Sequence, residues 1–292
     1  MFNKNDRRAN NVKIFEDTVE NINNNEKLQE SVKESIKTQK LYLETDSVQI
    51  PEVKNLQCKT VVSIKRSFEA ASAYAKEGKK VCVLNFASAT NPGGGVVNGS
   101  SAQEEALCRC STLYPCLNVK EFWDGFYQPH RNAGNPLYND DVIYTPRVTV
   151  FKSDVSYPKK MLSRDWYQVD VLTCAAPNLR HMPSNYMNPF AGDEAADIGD
   201  GDLMKLHLKR IDKIFRVAVE NGAQVLVLGA FGCGAFCNPP ELVAKAFKTV
   251  QDKYKEYFVA IEYAIFCMPR ETQNYDAFCN EFNEQNLNAC RK

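Results

Sequence analysis

Three consecutive glycines, Gly93-Gly94-Gly95, stand between an apolar run over residues 81–87 and two adjacent acids, Glu104-Glu105. A short continuous apolar run reads as a strand buried on both faces. A helical pattern begins at Gln103. Strand, glycine loop and helix in that order place the loop over a strand end. Glycine has no Cβ, so backbone there takes positive φ and approaches a ligand closely. Two carboxylates beside such a loop are placed for acid/base work on whatever the loop holds.

The rest of the chain alternates in the same way. Further strands are predicted over residues 142–151, 169–174, 225–228 and 260–266. Helices are predicted over 66–76 with Gly78 closing, 103 to about 114 ended by Pro115, 203–220, 241–257, and 271 to about 286. Residues 116–140 read as loop, as does the long polar stretch 177–202, whose length marks it as functional or disordered. Residues 1–55 are rich in Asn, Glu and Lys, with Val12, Phe15, Val19 and Ile22 on one helical stripe. That segment is expected as a helical extension packed on a body of residues 56–292. The body is a layered α/β domain.

The 44% apolar content supplies a sizeable core. Lys+Arg and Asp+Glu both number 36. This balance argues against a broad electrostatic footprint for nucleic acid or anionic membrane, but leaves room for a small anion held locally. No apolar stretch approaches the roughly 20 residues that span a bilayer. The first residues are polar, without the apolar core of a secretory signal. The 11 cysteines are expected as reduced thiols. The expected location is intracellular and cytoplasmic, or nuclear in a eukaryote.

Two local readings stand beside the glycine loop. Ser101-x-x-Glu104 fits a capping box, which would make Glu104 a helix-start residue. It does not account for Glu105, whose carboxyl at a helix N-terminus needs desolvation or bound ligand to act as an acid. The second glycine turn, residues 229–236, follows a buried strand and leads into Asn238-Pro239-Pro240-Glu241. Asn238 as N-cap, Pro239 at N1 and Glu241 at N3 predict a helix start whose amides face an anion. A Rossmann fingerprint is disfavoured: Gly232-x-Gly234-x-x-Cys237 lacks the third glycine. Cys108-x-Cys110 and Cys233-x-x-x-Cys237 match no zinc spacing, so buried thiols are expected there. The N-terminal basic residues read as a solvated face, and Trp123, Tyr127 and Tyr144 as core or loop anchors.

The stretch from Asn85-Phe86-Ala87-Ser88 through Asn91-Pro92-Gly93-Gly94-Gly95, then Gln103-Glu104-Glu105, resembles the signature of poly(ADP-ribose) glycohydrolases of the microbial type. Ala175-Ala176-Pro177-Asn178 and Gly229 through Pro240 are similar as well. The resemblance spans roughly residues 10–270 and implies a macrodomain-like fold, a mixed β-sheet between helices with an ADP-ribose cleft at the strand ends. It implies Glu105 as the acid/base that cleaves the ribose–ribose bond, and Glu104 as holder of the distal ribose. It further implies a ribose and diphosphate approach at Gly93, Gly94 and Gly95 beside Gln103, diphosphate amides at Gly232, Cys233, Gly234 and Ala235, and ribose packing by Phe236. Asn85 and Asn91 are the alternatives for the ribose-contacting amide.

No metal and no cofactor are implied. The implied substrate is poly(ADP-ribose) or ADP-ribosylated protein, the product ADP-ribose, released mainly from chain ends. Nucleic acid would be a partner only if ADP-ribosylated, a membrane would not be one, and a monomer is expected. Rival readings are a mono-ADP-ribosyl hydrolase acting on protein or nucleic acid, a module that binds ADP-ribose without cleaving it, and a nicotinamide-dinucleotide protein.

Overall fold

The computed structural model describes residues 4–53, 55–186 and 188–282. In chain order the elements are α1 (Lys4–Asn23), α2 (Glu26–Thr38), β1 (Lys40–Tyr42), β2 (Lys59–Ser63), α3 (Ser67–Lys76), β3 (Val81–Phe86), α4 (Gln103–Cys110) and α5 (Leu113–Leu117). They continue with α6 (Lys120–Phe122), a π-helical turn (Trp123–Tyr127), α7 (Gln128–Ala133), β4 (Val142–Val150) and β5 (Tyr167–Cys174). The last are α8 (Asp200–Glu220), β6 (Val225–Leu228), α9 (Pro240–Tyr254), β7 (Ala260–Ala264) and α10 (Gln273–Phe282).

The strands form one seven-stranded sheet in the order β1-β4-β5-β3-β6-β7-β2. β5, β3, β6, β7 and β2 run parallel, and β4 and β1 close one edge antiparallel. The central strands are largely apolar because both faces are covered. On β3 and β6, Cys82, Leu84, Leu226 and Leu228 point into one core with α8 and α9 residues. Val81, Val83, Val225 and Val227 point into the other, with Phe68, Leu107 and Phe122. This is the expected mixed sheet between helices.

The N-terminal residues are tied into that body. β1 pairs with β4, Lys40 opposite Tyr144. On α1, Phe15 packs edge-on against Tyr114 at 4.9 Å, and Thr18 Oγ1 donates to the Arg109 carbonyl at 2.6 Å.

Several boundaries differ from expectation. The helix from Gln103 stops at Cys110, where Ser111 is extended and forms a bridge to Val150. Pro115 lies inside the next helix rather than ending one, in a first turn where its missing N–H costs nothing. Residues 116–140 are largely helical, with Phe122, Phe126, Tyr127 and His130 buried at helical spacing. Pro129 again sits in a first turn, and Gly134 is the C-cap with φ of 56°. β1 and β2 were not expected: one has three residues, and the other is a half-exposed edge strand. The predicted extension of the last helix to residue 286 lies outside the described residues.

Candidate active site

The cleft opens at the C-terminal ends of the parallel strands, where open α/β sheets place ligands. Its volume is about 680 Å³. β3 delivers the glycine loop to this rim and α4 carries Glu104 and Glu105 back beneath it.

Gly94 has φ of 57°, and a Cβ on it would lie 2.7 Å from Glu105 Oε1 and 3.0 Å from Glu104 Oε2. Only glycine lets the loop lie across both carboxylates. Glu104 is buried; its Oε2 accepts from the Ser88 N–H at 2.7 Å and its Oε1 from Asn85 Nδ2 at 3.2 Å. The Glu104 side chain is therefore held by the loop and makes no capping box. The α4 N-cap is Ala102, without a side-chain hydrogen bond.

Glu105 Oε1 accepts from the Gly95 N–H at 2.9 Å, while buried Oε2 has no partner among the described residues. Burial pushes both carboxyls above the ordinary glutamate value, with each helped down by loop amides. Glu104 goes well above it, the neighbouring Glu105 adding to the effect of burial. The Gly95 amide and the Arg109 charge moderate the rise at Glu105. A carboxyl biased toward its protonated form, with one oxygen unclaimed, can deliver a proton.

The opposite wall is the turn between β6 and α9. Gly232 has φ of 78°, and a Cβ there would meet Ala176 Cβ at 2.5 Å and Asn238 Nδ2 at 2.6 Å. Asn238 is not the N-cap; that position is Pro239. Asn238 is buried and ties loops together: Nδ2 donates to the Pro177 carbonyl at 2.7 Å and the Gly232 carbonyl at 3.1 Å, and Oδ1 pairs with His207 Nε2 at 2.8 Å. Burial lowers the His207 pKa to about 4, so the ring is neutral.

Of the predicted residues, Asn91, Gly94, Gly95, Gln103, Glu104, Glu105, Gly232, Gly234, Ala235 and Phe236 all line the cleft. Three stand elsewhere. Asn85 is fully buried behind Glu104, also donating to Thr173 Oγ1 at 3.1 Å. Gly93 faces Tyr114 and Cys108. Cys233 packs on the core, and its N–H donates to the Ala230 carbonyl at 3.1 Å, so that amide is already engaged within the turn.

Other cleft residues carried no sequence signal. α1 brings Arg7, Arg8 and Asn11 to one wall, so part of the basic N-terminal face belongs to the site. Arg66 lies over the Phe266 ring at 3.9 Å, near the ends of β2 and β7. From the long loop after β5, Arg180, Asn185 and Asn188 reach the cleft, and Asn188 Oδ1 hydrogen-bonds Thr90 Oγ1. The spacing of charges in a solvated-looking helix or a polar loop does not reveal such docking.

Residues 10–153, which carry the glycine loop and both acids, match the family described as microbial-type PARG, catalytic domain. Over those residues the chain is similar to the microbial type of poly(ADP-ribose) glycohydrolase. It is a glycosidase with a macrodomain-like fold. A solved poly(ADP-ribose) glycohydrolase from Thermomonospora curvata, bound to the inhibitor ADP-HPD, is 28% identical with a TM-score of 0.77, over 94% of this chain and 100% of that one. One from Deinococcus radiodurans, in complex with ADP-ribose, is 26% identical with a TM-score of 0.71, over 87% of this chain and 98% of that one. No curated protein matches the chain.

Proposed function

We propose that this protein hydrolyses the ribose–ribose O-glycosidic bond of poly(ADP-ribose) and releases ADP-ribose, with Glu105 as its single acid/base. The observation that carries the reading is the buried Glu105 carboxyl, whose Oε1 is fixed by Gly95 and whose Oε2 is unclaimed. Burial raises its pKa and so favours the protonated form. It gives its proton to the bridging oxygen as the C1–O bond of the distal ribose breaks. The positive charge that develops on that ribose is stabilised by the carboxylate left behind. The same carboxylate then takes a proton from water as the water oxygen bonds to C1, giving ADP-ribose and restoring the acid.

Glu104 holds the distal ribose hydroxyls, itself held by Ser88 and Asn85. Asn91, which lines the cleft, is the ribose-contacting amide; Asn85 acts from behind Glu104. Among the described residues, Gly234, Ala235 and Phe236 donate to no backbone carbonyl. Their N–H groups are assigned to the diphosphate, beside the N-terminus of α9. Phe236 packs on the distal ribose. The adenosine then lies toward the Phe266 and Arg66 end.

Arg7, Arg8 and Asn11 wall the cleft, with Asn11 Nδ2 donating to the Gly99 carbonyl at 3.0 Å. We propose that the adenosine ribose lies against this wall, which would block a chain continuing from it. This favours release from chain ends. Resolving the products of purified poly(ADP-ribose) over time tests the reading. ADP-ribose from the first time point supports it, and internal fragments as the early products would count against chain-end release.

A further inference from the structure

We infer that Arg131 is a positioning residue for the distal-ribose site, acting through Asn91 and the loop after β5; the inference rests on the function proposed above. Arg131 stands on α7, outside the glycine loop. Its guanidinium lies between two rings, 4.7 Å from the Trp123 centroid and 4.5 Å from the Phe190 centroid. Within that sandwich, Nε donates to the Thr90 carbonyl at 2.7 Å and Nη2 to Asn91 Oδ1 at 2.5 Å.

One planar cation thus joins three segments: the helical arm of residues 123–133, the glycine loop and the loop after β5. Each contact uses a property of arginine that lysine lacks. The flat face stacks on aromatic rings and the rigid fork serves two acceptors at once.

The consequence falls on Asn91. Because Arg131 donates to Oδ1, the amide cannot flip, and Nδ2 is turned to Thr90 Oγ1 at 3.2 Å and Asn188 Oδ1 at 3.3 Å. One lone pair of Oδ1 is left for a ribose hydroxyl. Asn188 also hydrogen-bonds Thr90, so the loop after β5 is latched to the glycine loop twice, by Asn188 and by the Phe190–Arg131 stack. Released from Arg131, Asn91 would lose the contact that orients its amide, and this loop would lose one of its two latches.

The test is a double-mutant cycle on the full chain, with kcat and KM for poly(ADP-ribose) and Tm measured for wild type, Arg131→Ala, Asn91→Ala, the double variant and Arg131→Lys. Arg131→Ala should lose between about tenfold and about a hundredfold in kcat/KM, the scale set by a slightly misplaced positioning group. The double variant should lose clearly less than the product of the two single losses, since Arg131 acts in part through that residue. Arg131→Lys should recover only part of the loss.

Independent, multiplying effects in the double variant would overturn the inference. So would unchanged kcat and KM with a lowered Tm, which is what a purely structural arginine gives. A wild type that releases no ADP-ribose from the polymer would instead overturn the proposed function, and the positioning role with it.

Discussion

Gly94 lies across Glu105 so closely that a Cβ would sit 2.7 Å from Glu105 Oε1. The glycine loop and the proposed acid are therefore one packed unit. Gly94→Ala meets both carboxylates and an unfavourable positive φ of 57°. The expected result is a loss of kcat on the order of 100-fold or more, as for a displaced acid. Steady-state kinetics on poly(ADP-ribose) reads it directly.

Gly232→Ala addresses the other wall. Its Cβ would press on Ala176 and on Asn238 Nδ2, the donor that holds the turn to the Pro177 loop. ADP-ribose affinity is expected to fall at least about tenfold, or about 1.4 kcal/mol. Calorimetric titration with ADP-ribose measures this, and unchanged affinity would remove the turn from the binding site.

The continuous apolar runs of β3 and β6, alternating with helices, pointed to the fold, and the triple glycine before Glu104-Glu105 pointed to the cleft. The helices of residues 113–133 were hidden because Pro115 and Pro129, ordinary helix breakers, occupy first turns. Ser101 and Asn238 each matched a capping pattern. Tertiary contacts instead give the Glu104 carboxylate to Ser88 and Asn85, and the Asn238 amide to the Pro177 loop and His207. Arg7, Arg8 and Arg131 reach the site only through the docking of α1 and α7, which no local spacing encodes.

Glu105 should also leave a mark on stability. Burial raises its folded carboxyl above the ordinary value. Between the unfolded and folded values the native state therefore holds more protons than the unfolded chain. Stability from this group is full below the unfolded value and is lost as pH rises through the folded one. Glu105→Gln removes that loss, so its Tm relative to the wild type's should rise as pH is raised above the ordinary glutamate value. A margin that shrinks with pH would contradict the burial argument.

Arg109 tunes the same carboxyl. After burial and the Gly95 and local amides, its charge is among the influences that lower the Glu105 pKa. Arg109→Met should move the alkaline limb of the kcat profile to higher pH, because the acid stays protonated longer. A limb displaced to lower pH would count against Glu105 as the group that titrates there.

The central claim is that Glu105 transfers the proton. Its most direct test compares wild type with Glu105→Gln in ADP-ribose affinity and in ADP-ribose release from purified poly(ADP-ribose). Affinity should be kept within about twofold and release lowered on the order of 1,000-fold, within the range of lost acid/base catalysis. Release near the wild-type rate from Glu105→Gln would contradict it and move the acid elsewhere in the cleft.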